Sequence, residues 1–311
     1  MDRLKEIQVF LRGGLGNQLF QYATGLAISE ITGKRLILRS DLLPEYEDSI
    51  GGVSRWPNQI DTFNHSGEIR SRSFQPREKT NLKGKIMQGM RVVGDQVPWV
   101  CSALGWVSSE NSVPALPRNM NRIRLVNSYV AYKQRAWAQR IRLRTEIRNV
   151  KDPSPEFIQT SKVITSIRPI VFHIRQGDYL GLERIFGSLP EVYYRSALKA
   201  LNIANNSAPK WIFSDSPNQI SRSLLQALNP DRVIGPREMS KPVENLVLMS
   251  LGRSLIAANS TFSWWAGLIT DEESQVIAPN IEAAKVNNFS RGKEPANNWL
   301  FIDVLESDAN K

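Results

Sequence analysis

The sequence predicts a two-domain α/β protein built on doubly wound parallel sheets, and three observations carry that prediction. Short apolar strands alternate with helical segments from about residue 170 to 280. The first 40 residues follow the same order on a smaller scale: strand, Gly-rich turn, helix, strand. At 311 residues, 41% of them hydrophobic, the chain is long enough to bury two cores. Such alternation places helices on both faces of a parallel sheet and ligands at the carboxyl ends of its strands. The stretch KDPSPEF…SIRP, around 150–169, interrupts the pattern. A boundary is expected there, dividing the chain into 1–155 and 156–311 with a cleft between the halves.

Taken in order, Ile7–Leu11 is an apolar strand, Arg12–Gly16 a turn, Asn17–Ile31 a helix and Arg35–Arg39 a second strand. Leu19, Phe20, Ala23, Leu26, Ala27 and Ile31 recur close to the helical period, and Gly33 stops the helix. Residues 44–118 are rich in Gly, Pro, Ser and Asn and read as long loops and short elements. In the second half, strands at Ile170–Ile174, Trp211–Phe213, Val233–Ile234, Ser254–Ala257 and Gln275–Ala278 are expected. Helices at Pro190–Leu201, Pro217–Leu228, Lys241–Leu251 and from about Ser260 connect them.

Composition narrows the function classes. No apolar run approaches the roughly 18–20 residues that span a bilayer, and charges interrupt the start, MDRLKEIQVF, where a secretory signal would be apolar. The one cysteine, Cys101, rules out an internal disulfide framework, fits a reducing compartment and reads as a small buried apolar residue. With only His65 and His173, and no Asp-x-Asp pair, the chain has no ready set of metal ligands. The net charge of +10 lies wholly in residues 1–150, which hold 23 Lys/Arg against 13 Asp/Glu. Residues 118–148 alone carry nine basic residues and one acid. That excess suits a nucleic-acid footprint, an anionic lipid surface, a phosphate-bearing acceptor, or simply a solvated face.

Four stretches could carry chemistry. PIVFHIRQGDYL, residues 169–180, is an apolar strand that delivers His173, Arg175 and Asp178 at its carboxyl end. An arginine so placed can hold a diphosphate by paired charge-assisted hydrogen bonds; a structural Arg175–Asp178 ion pair is the bland alternative. GGLGNQLFQYATG, residues 13–25, opens a helix after the first strand. Gly14 and Gly16 let backbone approach a ligand there, with Asn17 and Gln18 at the mouth of the turn. A third glycine, which a dinucleotide fingerprint requires, is replaced by Leu19. In FSDSP, residues 213–217, Asp215 could accept from a ribose or guanine, or Ser216 could cap a helix starting at Pro217. In NSTFSWWAGLI, residues 259–269, the hydroxyls of Ser260, Thr261 and Ser263 crowd a helix N-terminus, as a phosphate cradle would need. Trp264 and Trp265 read as core.

In this order the four stretches resemble the motifs of the bacterial α-1,2-fucosyltransferases, glycosyltransferase family 11. The resemblance spans roughly residues 7–280 and is weak in 50–150. It implies a GT-B-like fold, two Rossmann-like domains facing a central cleft, with 1–155 on the acceptor side and 156–311 binding the GDP-sugar. It further implies GDP-β-L-fucose as donor, no metal and no other cofactor. The transfer would invert to an α-1,2 link on a galactose-type acceptor, as in O-antigen and similar surface glycans. The family motif His-x-Arg-Arg-Gly-Asp-Tyr falls on His173, Arg175, Gln176, Gly177, Asp178 and Tyr179, with Gln176 in place of the second arginine.

Carried onto this chain, the resemblance makes Arg175, Asp178, His173 and Asn17 the catalytic candidates. Gly14, Gly16, Gln18, Asp215, Ser260, Thr261, Phe262 and Ser263 become candidates for donor binding. Arg175 and the Ser260/Thr261 helix N-terminus would take the charge of the leaving diphosphate. The general base is Asp178, a first-half acid such as Asp41 or Glu45, or His173. The expected location is the cytoplasm, with the basic half drawn to the inner face of the plasma membrane, where lipid-linked acceptors are assembled. A transferase of another nucleotide sugar or linkage is the alternative within the class. A basic nucleic-acid-binding protein is the alternative outside it, disfavoured because no stacking platform or module is readable.

Overall fold

The computed structural model describes residues 5–41, 43–44, 48–50, 53–71, 106–107, 122–125, 133–176, 189–201, 208–281 and 298–304. The chain forms two compact units, Met1–Gln139 and Arg140–Lys311.

The first unit contains β1 (Glu6–Phe10), α1 (Leu15–Thr32), β2 (Arg35–Arg39), the antiparallel hairpin β3 (Asp48–Ile50) and β4 (Val53–Arg55), and β5 (Glu68–Arg70). It continues with β6 (Trp106–Val107), β7 (Arg122–Leu125) and α2 (Lys133–Ala138). Its sheet has the order β5-β2-β1-β7-β6, and every pair in it is parallel. The apolar strand β1 is therefore interior, with Ile7 and Val9 buried. Helix α1, buried throughout from Gln18 to Ile28, lies over the sheet with Gly25 close to Val9 and Leu36, and Gly33 closes the helix in the left-handed conformation. Residues 44–118, expected to hold long loops and short elements, contribute two short strands to this sheet, β5 and β6. Strand β7 hid inside a basic run: in RIRL the alternation puts Ile123 and Leu125 into the core.

The second unit holds α3 (Arg140–Arg148), α4 (Pro155–Ile167), β8 (Ile170–Ile174), α5 (Glu191–Ala200), β9 (Lys210–Ser214), α6 (Arg222–Leu228) and β10 (Arg232–Ile234). Then follow α7 (Pro242–Ser250), β11 (Ser254–Ile256), α8 (Thr261–Leu268), β12 (Gln275–Asn280) and β13 (Trp299–Asp303). The all-parallel sheet runs β10-β9-β8-β11-β12-β13, which is 3-2-1-4-5-6 in the unit's own strand order. That is the doubly wound nucleotide-binding order, and its winding reverses between β8 and β11. Ile170, Phe172 and Ile174 of β8 pack with Tyr193, Tyr194 and Ala197 of α5 and Leu224 and Leu228 of α6. His173, by the strand's period of two, lies on the opposite face.

Three expectations change. The segment Pro217–Leu228 is a 3-10 turn, Pro217–Gln219, followed by α6, because Ser221 is extended and its Oγ accepts from Leu224 N at 3.1 Å, starting a new helix. The stretch read as a boundary contains α4, whose start is written in Ser154-Pro155: Ser154 Oγ accepts from Phe157 N, and proline sits in the first turn. The units divide at 139/140, ahead of the expected 155, because α3 is tied to the second unit. There Arg148 donates to Asp271 (2.9 Å), to Ile269 O (2.8 Å) and to Ser250 O (3.3 Å).

Candidate functional site

The carboxyl ends of β8 and β11 meet at the reversal of the second sheet, and the sequence places its polar motifs there. Backbone pairing sets Phe172 beside Ile256, so His173–Gln176 and Ala257–Ser263 leave the sheet side by side. Ser260 is the N-cap of α8: its Oγ accepts from Ser263 N at 3.0 Å, and Trp264 N donates to its carbonyl at 3.1 Å. The Thr261 and Phe262 N–H groups, at the first two helical positions, have no acceptor among the described residues. Thr261 and Phe262 are half-buried, whereas Asn259, Ser260 and Ser263 are buried. A helix N-terminus with open N–H groups suits an anion.

His173 is 4% exposed, and its Nδ1 shares a short hydrogen bond with Ser263 Oγ. Phe262 flanks the imidazole, with ring centroids 5.7 Å apart. Burial first, and the Arg175 charge second, hold the imidazolium pKa down to about 3. A neutral ring of such low basicity is a weak base near pH 7.

Asp215, at the end of β9, accepts from Gln176 N at 3.0 Å, and its Oδ2 lies 4.0 Å from Arg175 Nε. The acid next to Arg175 among the described residues is thus Asp215; Asp178 lies outside them. Ser216 is the N-cap residue of the 3-10 turn that begins at Pro217, as the capping alternative expects, but its side chain makes no capping hydrogen bond. Gln176 Oε1 is buried with no hydrogen-bond partner among the described residues, an acceptor left open at the strand end. Tyr194, which no motif singled out, supports the same strand end by donating to His173 O at 3.3 Å. Burial, then the Asp215 charge, raises its phenol pKa, keeping it a donor. Its signal was only the helical period of α5.

The cradle of three hydroxyls is corrected to one. Ser263 is fully buried and bonded to His173 and to Ala258 N (3.1 Å), while the buried hydroxyl of Ser260 is 3.3 Å from Ser263 Oγ. Thr261 carries the remaining half-buried hydroxyl.

In the first unit, the Gly-rich turn lies at the carboxyl end of β1. Gly13 adopts φ +72°, a conformation that disfavours any side chain, and Gly14 is the N-cap of α1. No side chain caps this helix and its first turn holds no acid. Asn17 is half-buried, its Nδ2 packed against Gly13. Two candidates are relocated. Gly16 is a buried residue inside α1, not part of the turn. Gln18 is fully buried and its amide is taken up by backbone: its Nε2 donates to Gly13 O (2.7 Å) and Pro57 O (2.8 Å), and its Oε1 accepts from Gln59 N (2.9 Å). It clamps the 57–59 loop onto the turn and so sets Trp56 beside Gly14, whose place for a Cβ is 3.5 Å from the indole. Trp56 carried no readable signal in a loop-rich stretch. Asp41 is ion-paired with Arg39; Glu45 and Cys101 lie outside the described residues.

Of the nine basic residues of 118–148, Arg140 meets Glu272, Arg142 meets Glu146, and Arg144 and Arg148 meet Asp271 among the described residues. Arg140, Arg144 and Arg148 thereby tie α3 to Asp271 and Glu272. No helix among the described residues is long and apolar enough to cross a membrane. Nor do three or more His, Cys, Asp or Glu residues converge as metal ligands among them.

The sequence model for Glycosyl transferase family 11 matches residues 120–303. The chain is similar to the O-antigen biosynthesis glycosyltransferase WbnK of Escherichia coli, at 23% identity over 86% of this chain and 92% of that one. It is likewise similar to an Alpha-1,2-colitosyltransferase of Escherichia coli, at 23% identity over 94% and 97%. Among crystal structures, the fucosyltransferase NodZ from Bradyrhizobium matches with a TM-score of 0.48 at 13% identity, over 86% of this chain and 93% of that one. POFUT1 in complex with GDP-fucose matches with a TM-score of 0.47 at 13% identity, over 89% and 96%.

Proposed function

Because the chain belongs to glycosyl transferase family 11, and is a glycosyltransferase by that membership, we propose that it moves L-fucose from GDP-β-L-fucose to the 2-hydroxyl of a galactose-type residue. The transfer inverts the anomeric centre and proceeds without a metal. The observation that carries this reading is the convergence, at the β8/β11 reversal, of Arg175, the Asp215-bound Gln176 and the open N–H groups of Thr261 and Phe262. The guanidinium and the two N–H groups are the cation and donors a diphosphate needs, and the Gln176 N–H, given to Asp215, fixes the strand end beside them.

In this reading the GDP diphosphate lies against the N-terminus of α8 and the Arg175 guanidinium. As the sugar–phosphate bond breaks, negative charge builds on the diphosphate, and preorganised donors of this kind lower the barrier by about 3 kcal/mol each. Asp215 positions the Gln176 backbone and Arg175 together, beside any part it takes in guanine or ribose binding. Asn17 and the uncapped start of α1 serve the sugar side, and Asp178 takes the acceptor proton. The GT-B-like organisation is part of this proposal, supported by each unit having its own parallel sheet. A surface glycan such as O-antigen is the proposed acceptor, supported by the name of one relative.

A second reading has its own support. One relative is named for moving colitose, the 3-deoxy form of fucose, to a 1,2 link, and Gln176 stands where the family motif has arginine. GDP-colitose would then replace GDP-fucose at the same site. Released GDP, measured with each donor, with a panel of galactosides and with or without EDTA, separates the readings. Release from GDP-fucose that survives EDTA is expected. Release from GDP-colitose alone favours the second reading, and release from neither overturns both.

A further inference from the structure

His173 and Ser263 form a closed hydrogen-bonding group whose proton positions can be worked out by counting. Ser263 Oγ has one hydrogen and two lone pairs. One lone pair accepts the Ala258 N–H at 3.1 Å. Ser260 is buried, and its Oγ already accepts the Ser263 N–H at 3.0 Å. Its own hydrogen has one acceptor among the described residues, Ser263 Oγ at 3.3 Å. Both lone pairs of Ser263 are then in use, and its hydrogen must go to His173 Nδ1, the short contact of the group. The opposite arrangement, with Nδ1 donating, would leave the buried Ser260 hydrogen unpaired, at a cost comparable to a lost hydrogen bond.

We propose that Ser263 is a positioning residue that locks His173 as its Nε2–H tautomer, so that the ring offers the nucleotide-sugar diphosphate a neutral hydrogen-bond donor and not a base. The ligand half of this inference rests on the function proposed above; the tautomer half does not. Nε2 has no hydrogen-bond partner among the described residues. Arg175 lies two residues on, and the open N–H groups of Thr261 and Phe262 are next to the ring-flanking position. A cationic imidazole would be disfavoured beside Arg175, whereas a neutral donor adds to its effect on a diphosphate. The motif histidine and the serine of the later helix, 90 positions apart, thus become one unit.

The chain has two histidines, so imidazole 15N spectra of the histidine-labelled full chain contain two rings, and His65→Gln assigns them. The proposal expects the Nε2–H pattern for His173 in the ligand-free protein. Ser263→Ala should shift the ring toward the other tautomer, and Ser263→Thr, which keeps the hydroxyl, should restore it. Added GDP should move the Nε2 resonance. Turnover of Ser263→Ala should fall about 10²-fold, the loss typical of one misaimed donor, with KM for the GDP-sugar changed less than threefold. An Nδ1–H pattern in the wild type, or a tautomer that ignores Ser263→Ala, overturns the lock. GDP binding, detected by calorimetry, that leaves Nε2 unmoved overturns the ligand role. If GDP does not bind at all, the donor assignment and the ligand role fall together, and the ligand-free spectra still decide the lock.

Discussion

Replacing His173 by glutamine should flatten the acid side of this protein's stability profile. The wild-type ring is buried and neutral, with its pKa down from 6.5 to about 3. In the unfolded chain the same ring protonates as the pH falls below about 6.5. Between pH 6.5 and 3 the unfolded state therefore binds one proton more than the folded state, and stability rises with pH across that window. The contribution is complete above pH 6.5 and is lost progressively as the pH falls toward 3. The slope is ~1.4 kcal/mol per pH unit, so moving from pH 7 to pH 5 should cost the wild type about 2 kcal/mol through this residue alone. Glutamine can still bond Ser263 but does not titrate. Urea denaturation of wild type and His173→Gln at pH 7 and pH 5 isolates the effect, because every other titrating group is common to both. The wild type should lose about 2 kcal/mol more than the variant over that interval. Equal losses in the two proteins would show that His173 is not held neutral by burial, and the site's electrostatics would need to be redrawn.

Arg175→Ala should lower turnover by about 10²–10³-fold with the circular dichroism spectrum unchanged; near-normal turnover removes Arg175 from the diphosphate. Gln18→Ala strips three buried partners at once, Gly13 O, Pro57 O and Gln59 N, and should cost about 3 kcal/mol in urea denaturation. A loss under about 0.5 kcal/mol would mean that the clamp is not structural. Gly25→Ala would set a Cβ 2.5 Å from Val9 Cγ2 and 2.8 Å from Leu36 Cδ1, so the Val9 and Leu36 side chains or α1 must shift. About 2 kcal/mol of destabilisation is expected, and a neutral result would show that the helix can shift without strain. Arg148→Ala leaves Ile269 O and Ser250 O without this donor and should lower stability by about 2 kcal/mol. An unchanged denaturation midpoint would mean that α3 is held by other contacts.

Legibility followed from how local each cause was. The strand before HIR could be read because an apolar run that ends in charge marks the carboxyl end of a strand, and β8 is where the winding turns back. The Gly33 stop and the α8 start were written within a few residues, in a glycine and a Ser-Thr pair. The start of α4 was written too, in Ser154-Pro155, but proline and serine were taken for a linker. Strand β7 was missed because Arg122 and Arg124 masked the alternation of Ile123 and Leu125. The fates of Gln18 and Ser263 depend on burial by residues distant in sequence, Pro57 for one and His173 for the other. A motif reports that a polar side chain is required at a position and not whether it faces ligand or protein. The ion pairs of Arg140 and Arg148 were illegible for the same reason, since their partners Glu272 and Asp271 lie more than 120 positions away.

The most direct test of the account is the product itself. The full chain, given GDP-β-L-fucose and a panel of galactosides in EDTA, should release GDP only when a galactoside is present. NMR of the isolated product should show fucose α-linked to the galactose 2-hydroxyl. A different linkage or anomer, or no acceptor-dependent GDP release across the panel, would contradict the proposed transfer.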